Sequence, residues 1–165
     1  MYRVGLGVDM HPFADPGSGR PLMLGGVAVP GAGGLAGHSD ADVLTHAICD
    51  ALLGAAGLSD LGSHFPDDDP GLAGVSSMVL LEKVNDLVRQ RGYRIVNIDA
   101  VIIAQQPRLA AHLAEMGRRL AGVLGIAEED ANIKATSPEG LTSLGRKEGI
   151  AAQAVVLLRR GDDAE

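Results

Sequence analysis

Along this chain, the spacing of apolar residues changes several times between the period of a strand and that of a helix. Strands are predicted over about residues 2–13, 93–104, 131–137 and 149–160. Helices are predicted from Ser39 to a stop at Gly57, over about 77–91, and up to Gly125. Two apolar runs joined by Gly25-Gly26 predict a hairpin. The order predicts a two-layer α+β domain, with helices on one face of a mixed four-stranded sheet and a small β-hairpin beside it.

Composition limits the partners and the compartment. The 165 residues fit one domain, 1–165, and the net charge of −7 argues against nucleic acid. With no tryptophan, two tyrosines and two phenylalanines, the core must be aliphatic. One cysteine, Cys49, excludes an internal disulfide and fits a reducing compartment. No apolar run is long enough to cross a membrane and no leader composition is seen, so a cytoplasmic location is expected.

The first strand carries an acid and an imidazole on one face. Asp9 and His11 are two residues apart, so in extended chain they point the same way, about 7 Å apart at the backbone. Such a pair is either a salt-linked surface pair or part of a metal site that lacks a ligand. The two residues alone do not distinguish these interpretations.

The first predicted helix has an unusual polar stripe. Ser39, Asp42, His46 and Asp50 follow helical spacing, and the segment 38–58 contains no Lys, Arg or Glu. Ser39 and Asp42 also form a capping-box pattern at the start of the helix. The stripe therefore belongs either to a capped helix with a hydrogen-bonded histidine or to a functional site.

His46 supplies the ligand that the strand pair lacks. Asp9, His11 and His46 make a set of two histidines and one carboxylate, which Zn²⁺ accepts with one position left open for water or substrate. Cys49, three residues after His46, is a less favoured fourth ligand, because a lone cysteine on a helix is usually a small buried hydrophobe.

Two loops offer further polar groups. The loop SDLGSHFPDDDPG is either a charged turn or a set of carboxylates that binds sugar hydroxyls or a cation. In NIKATSPEG, hydroxyls and backbone amides suit phosphate oxygens, and Glu139 suits a Mg²⁺ that bridges them.

Together these segments resemble the 2-C-methyl-D-erythritol 2,4-cyclodiphosphate synthase family. The resemblance runs through GLGVDMHPF, HSDADVLTHAICDALLGAAGLSDLG, FPDDDP, IIAQQPRL, NIKATSPEGL and GRKEGIAA, in the family's order and over nearly the whole chain. It implies an α+β homotrimer with active sites between subunits. It also implies that 4-diphosphocytidyl-2-C-methyl-D-erythritol 2-phosphate is cyclised with release of CMP, in the non-mevalonate isoprenoid pathway.

The resemblance also implies roles for individual residues. Asp9, His11 and His46 match zinc ligands, Glu139 matches the ligand of a second divalent ion (Mg²⁺ or Mn²⁺), and His38 and Ser137 match the catalytic positions. The implied substrate-binding residues are Ser39, Asp60, Leu61, Gly62, Phe65, Pro66, Asp67, Asp68, Asp69, Ala104, Arg108, Leu109, Ala110, Thr136, Pro138 and Arg146.

One position departs from the family pattern. Ser143 stands where relatives more often carry a phenylalanine that lines an apolar cavity on the trimer axis, above positions matched by Arg146 and Glu148. The substitution predicts a more polar cavity that does not bind isoprenoid diphosphates as in relatives. Two other functions stay open from the residues alone: a zinc-dependent phosphohydrolase and a non-catalytic trimeric binding module.

Overall fold

The predicted α+β architecture is confirmed by a computed structural model that describes residues 1–66 and 68–161. The strands are β1 (Tyr2–Pro12), β2 (Pro21–Leu24), β3 (Val27–Gly33), β4 (Tyr93–Ile103), β5 (Ala131–Thr136) and β6 (Gly149–Arg160). The α-helices are α1 (Val43–Ala56), α2 (Leu61–His64), α3 (Ser77–Gln90), α4 (Leu113–Leu124) and α5 (Thr142–Gly145). The longer elements lie within a few residues of the predicted bounds, whereas the single-turn α2 and α5 carry too few residues to show a period.

The main sheet is mixed and four-stranded, with the order β1-β6-β4-β5. Strand β4 pairs in parallel with β5 and antiparallel with β6, which is itself antiparallel to β1. Strands β1, β4 and β5 therefore run in one direction, and their carboxyl ends lie at the same end of the sheet. Strands β2 and β3 form the separate hairpin.

Helix α1 lies against β1 at very short range. A Cβ atom on Gly5 would be 1.9 Å from the carbonyl oxygen of Ala51, and one on Gly7 would be 1.8 Å from that of Ala47. No side chain fits there, because real Cβ atoms do not approach within 3 Å of another heavy atom. The two glycines thus let the helix touch the strand, which brings His46 over the face that carries Asp9 and His11.

The start of α1 corrects two sequence predictions. Helix α1 begins at Val43, with Asp42 rather than Ser39 as its N-cap, and it ends at Gly57 as predicted. Asp42 is fully buried, so it does not belong to an exposed stripe with His46. Its carboxylate accepts hydrogen bonds from the N–H groups of Gly25 (2.9 Å), Gly26 (2.8 Å) and Thr45 (3.0 Å). The turn of the hairpin, not the helix alone, determines where this aspartate points.

The opposite face of the sheet carries exposed apolar side chains. On β1, Val4, Leu6 and Met10 keep 68%, 64% and 65% of their surface in solvent, and Val155 on β6 is also exposed. The run of apolar residues in β4 predicts a strand covered on both faces, but the helices of the described residues cover only one. Within residues 1–66 and 68–161, no helix has the length and hydropathy of a membrane span.

Candidate metal centre and substrate pocket

The structure brings the three predicted zinc ligands together. Oδ2 of Asp9 lies 3.0 Å from Nε2 of His11 and 3.0 Å from Nδ1 of His46. The two imidazole nitrogens are 3.3 Å apart. One ligand atom from each residue thus lies within 4.8 Å of the others, which suits a single cation. In the part of the chain that is described, this is the one group of three His, Cys, Asp or Glu side chains with that property.

The electrostatics of the centre fit a cation. Burial by itself raises the pKa of Asp9, but hydrogen bonds and charge from His11 and His46 outweigh it and hold that pKa well below its usual range. Asp9 is therefore an ionised ligand at neutral pH. Nδ1 of His11 lies 2.7 Å from the carbonyl oxygen of Ala36, which can only accept, so Nδ1 carries a hydrogen. A cation at the centre would replace the hydrogen through which Nε2 contacts Asp9 and would bind the Nε2 lone pair.

The centre opens into a cavity of about 250 Å³. Nine predicted site residues line it: Asp9, His11, His38, Ser39, His46, Leu61, Gly62, Phe65 and Pro66. A larger cavity of about 970 Å³ lies at the other end of the molecule, between the ends of α3 and α4 and the start of β4. None of the predicted site residues lines that larger cavity. Size alone therefore does not identify the site, whereas the ligand geometry does.

The aspartate-rich loop is held against this cavity by backbone contacts. The carboxylate of Asp50 accepts a hydrogen bond from the N–H of Leu61 (2.7 Å), and Asp60 caps α2 through the N–H of Ser63. The backbone oxygen of Asp69 lies 3.0 Å from Nε2 of His38. Asp68 is exposed and does not line the cavity, and Asp67 lies outside the described residues.

The predicted site residues between 104 and 139 form a second, separate group. They follow the ends of β4 and β5, where the N–H of Ala104 donates to the carbonyl of Thr136 (3.1 Å). Thr136, Ser137 and Glu139 are exposed, and so are Arg108 and Ala110. Pro138, which stands between Ser137 and Glu139 in the sequence, is partly buried. Leu109 differs, since only 4% of it is exposed and it packs in the core.

The two groups lie at the same end of the sheet but at opposite edges. Asp9 and His11 are on the edge strand β1, and the segment 136–139 follows the other edge strand, β5. Three strand spacings separate them, about 14 Å. Glu139 is accordingly not part of the Asp9–His11–His46 group. Arg146, on a third segment, pairs with Glu148 at 2.7 Å.

Sequence patterns missed two residues that shape the pocket. Arg20 donates to the backbone oxygens of Gly37 (2.9 Å) and Ser39, and so fixes the segment that carries His38. Ser77 contacts the imidazole of His46. Both contacts join residues far apart in sequence, so no local spacing predicts them.

Cys49, the less favoured ligand, is fully buried, and it is not among the clustered ligands. Burial raises the pKa of its thiol well above the usual value.

Comparison with known proteins identifies the family. The sequence model of the YgbB family matches residues 2–159. The chain belongs to the YgbB family. A curated relative, the 2-C-methyl-D-erythritol 2,4-cyclodiphosphate synthase of Syntrophobacter fumaroxidans, is 54% identical over 157 residues, which cover 95% of this chain and 97% of that protein.

Solved structures agree with this YgbB-family membership. IspF from Plasmodium falciparum in complex with CDP superposes with a TM-score of 0.84 at 30% identity, and the match covers 98% of this chain and 97% of that one. The bifunctional IspDF from Campylobacter jejuni gives a TM-score of 0.93 at 41% identity over 98% of this chain. The chain spans 43% of the length of that bifunctional protein.

Proposed function

We propose that this chain is an enzyme that forms 2-C-methyl-D-erythritol 2,4-cyclodiphosphate. The observation that carries the proposal is the convergence of Asp9, His11 and His46 at a cavity, in a chain whose curated relatives bear that synthase name. The substrate is 4-diphosphocytidyl-2-C-methyl-D-erythritol 2-phosphate, and CMP is the leaving product. The reaction is a cyclising phosphorus–oxygen lyase step in the non-mevalonate isoprenoid pathway.

We propose Zn²⁺ as the cation held by Asp9, His11 and His46. Two imidazoles and one ionised carboxylate are a usual donor set for zinc, and three protein ligands leave a position for a substrate oxygen. When bound, the ion supplies Lewis-acid polarisation and neutralises phosphate charge. The chain carries a net charge of −7, so such local neutralisation is needed before two phosphate groups can approach one another.

His38 and Ser39 contact the substrate phosphates in this proposal. Both line the cavity beside the centre, and Arg20 fixes their segment from behind. The loop of Asp60 to Gly62 and Phe65 to Asp69 holds the methylerythritol part, with Leu61 fixed by Asp50. Hydroxyl groups of the substrate suit the carboxylates and backbone groups that this loop exposes.

The cytidine diphosphate part binds at the β5 edge in this proposal. Ala104 to Ala110 and Thr136 to Glu139 form that pocket, and Glu139 binds the second divalent ion, Mg²⁺ or Mn²⁺. Ser137 accepts a hydrogen bond from the N–H of Glu139 (3.0 Å), so its hydroxyl hydrogen is available to a phosphate oxygen. His38 and Ser137 stabilise the charge that develops in the transition state.

The reaction requires these residues to position the substrate, and it requires no general base. The 2-phosphate oxygen attacks the β-phosphorus, the bond to the CMP phosphate breaks, and the electron pair leaves with CMP. The nucleophile is already an anion, so no proton has to be removed from it. Holding the two phosphates in line and stabilising their charge is most of what phosphoryl transfer requires.

A homotrimer would complete the site. In one chain the two groups are about 14 Å apart at opposite edges of the sheet, so a neighbouring subunit has to bring its β5 edge to this chain's β1 edge. The exposed apolar face formed by Val4, Leu6, Met10 and Val155 supports burial between subunits. Arg146 and Ser143 would then face the trimer axis.

The decisive experiment measures metal content and CMP release on the same purified sample. We expect stoichiometric zinc, release of CMP and a cyclic diphosphate by mass spectrometry. A linear phosphate containing solvent oxygen would instead identify a phosphohydrolase. Binding of the cytidyl substrate by zinc-loaded protein without CMP release would identify a binding module. His46→Ala is expected to lose zinc and turnover while the trimer persists, and full activity in that variant would reject the ligand assignment.

A matched variant tests the assembly. Leu6→Asp places a charge on the exposed apolar face without touching the metal centre, and it is expected to yield monomers with little turnover. Glu82→Asp, at an exposed position on α3, is the control and keeps the trimer. Analytical ultracentrifugation of both variants distinguishes the outcomes, and an active monomer would exclude a site shared between subunits.

A further inference from the structure

The outer nitrogen of His46 contacts a buried serine hydroxyl. Nδ1 of His46 faces Asp9, while Nε2 points to the other side, 2.9 Å from Oγ of Ser77 and 3.2 Å from Oγ of Ser39. Ser77 is completely buried, as the first residue of α3. A buried hydroxyl in this position has to act as either donor or acceptor towards the imidazole.

A carboxylate determines which of the two roles Ser77 takes. Asp40 accepts hydrogen bonds from both the O–H and the N–H of Ser77, the latter at 3.0 Å. Asp40 also accepts from the N–H of Asp42 at 3.2 Å. An ionised carboxylate cannot donate, so the only hydrogen on the Ser77 hydroxyl is used on Asp40. The lone pairs of Ser77 Oγ are left to accept from Nε2 of His46.

We propose that Asp40 and Ser77 are positioning residues that make His46 a metal ligand through Nδ1. With Nε2 carrying its hydrogen towards Ser77, the Nδ1 lone pair is directed at the centre formed with Asp9 and His11. Outer hydrogen bonds of this kind fix the tautomer and orientation of a ligating histidine and raise its basicity. The inference rests on the proposed metal centre and adds the residues that prepare it.

The chain of hydrogen bonds from Asp40 through Ser77 to His46, here called the relay, is held in place by backbone contacts. The segment that carries Asp40 is tied to the segment before α3 by two backbone hydrogen bonds: Asp40 N–H to the carbonyl of Val75 (3.0 Å) and Gly74 N–H to the carbonyl of His38 (2.8 Å). Ser39 is the weaker partner of Nε2, because its Oγ is farther away and already accepts from the N–H of Ala41. Ser77 therefore sets the direction of the imidazole.

Zinc affinity tests the relay without any turnover assay. Zn²⁺ is titrated into the full chain against a chelator of known affinity. Ser77→Ala is expected to weaken zinc binding about 10- to 100-fold. Ser76→Ala is the matched control: Ser76 is the neighbouring N-cap of α3 and accepts from Met78 N–H, so its loss perturbs the same helix start but leaves His46 untouched. The control is expected to bind zinc as the wild type does.

Asp40→Asn probes the direction of the hydrogen bonds. An amide NH₂ can donate to Ser77 Oγ and release the Ser77 hydrogen towards Nε2 of His46, which places the imidazole hydrogen on Nδ1. We expect a loss of zinc affinity at least as large as that of Ser77→Ala. In ¹⁵N NMR of the zinc-loaded wild type, Nε2 of His46 is expected to carry its hydrogen while Nδ1 shows the shift of a metal-bound nitrogen.

The outcomes separate the relay from the function. Equal zinc affinity in wild type, Ser77→Ala and Asp40→Asn, or coordination through Nε2 in the wild-type spectrum, would overturn the relay and leave the synthase proposal standing. Because that spectrum needs no variant, it decides even where a substitution prevents folding. A serine-dependent zinc site in a protein that makes no cyclic product would support the relay and reject the function. A wild type that binds no zinc would overturn the metal centre and the relay together.

Discussion

Two aspartates near α1 have the same side chain but opposite surroundings. Asp42, the N-cap of α1, is fully buried, and three of its partners are the backbone N–H groups of Gly25, Gly26 and Thr45. The carboxylate of Asp9 is instead held by the imidazoles of His11 and His46, and Asp9 lines a cavity. The backbone N–H groups around Asp42 cannot move away unless the protein unfolds. The imidazoles around Asp9 can give up their hydrogen bonds to it and bind a cation instead.

The two environments shift the pKa values in opposite directions. Burial raises the pKa of Asp42, although its three backbone hydrogen bonds oppose the shift. At Asp9 the effect of burial is outweighed by the two histidines, and the pKa falls. Folding therefore disfavours the ionised form of Asp42, and the two histidines favour the ionised form of Asp9.

The largest effect is expected from Asp9→Asn. The amide keeps the shape but removes the ionised ligand, so zinc retention and turnover should both fall to background. Metal-free stability at neutral pH should fall as well, because the amide cannot supply the charge that faces the two histidines. Metal analysis, CMP release and denaturant unfolding of the metal-free protein check the three parts. Zinc retention in Asp9→Asn would break the contrast with Asp42.

Asp42→Ala is expected to destabilise the fold and to leave the metal centre intact. It leaves the buried N–H groups of Gly25 and Gly26 without an acceptor and removes the cap of α1, which together cost about 3 kcal/mol of unfolding free energy. Zinc stoichiometry at low temperature should be retained. Ser76→Ala, which removes an exposed N-cap, is the comparison and should cost about 1 kcal/mol. Equal costs in denaturant unfolding would mean that the hairpin contacts contribute nothing.

Gly7→Ala should disturb both regions at once. A methyl group there would lie 1.8 Å from the carbonyl oxygen of Ala47, so α1 has to move away from β1. We expect a loss of about 1–3 kcal/mol, as for an overpacked core, together with weaker zinc binding. Gly54→Ala is the control, because a methyl group at Gly54 meets nothing within 4 Å and alanine favours a helix by up to about 1 kcal/mol. Unchanged zinc affinity in Gly7→Ala would show that the helix contact does not position His46.

The smallest effect is the order of protonation. In ¹³C NMR of the metal-free protein, lowering the pH should protonate Asp42 at a pH above the ordinary value of about 3.9 and Asp9 only below it. Because its pKa is raised, Asp42 contributes stability that is lost as the pH rises through its folded pKa. Because its pKa is lowered, Asp9 contributes stability that is present above about pH 3.9 and lost as the pH falls towards its folded pKa. The reverse order of protonation would contradict the contrast.

Most of the fold was predictable because the long elements carry clear periods. Helices α3 and α4 and strands β4 to β6 lie almost where the pattern places them. The start of α1 was wrong for a physical reason. Ser39 and Asp42 are both good N-cap residues, and the choice depends on the glycine N–H groups of a hairpin that lies earlier in the chain. Capping rules describe a helix alone, whereas here a tertiary contact decides.

The candidate site was predictable in part. Spacing alone paired Asp9 with His11, and the composition of the first helix drew attention to His46. Arg20 and Ser77 escaped notice because an arginine in a loop and a serine before a helix are common, and their partners lie on other elements. The roles of His38 and Ser137 came only from the family resemblance, whereas the chemistry of its segment also indicated an ion at Glu139; all three stay predictions.

In the homotrimer that we propose, the placement of the two groups on opposite edges of one sheet has a genetic consequence. A chain damaged at His46 keeps an intact β5 edge, and a chain damaged at Ser137 keeps an intact β1 edge. When the two inactive chains are made together, every mixed ring of the proposed trimer has one junction where undamaged edges meet. Two separately dead alleles should therefore complement each other in one cell.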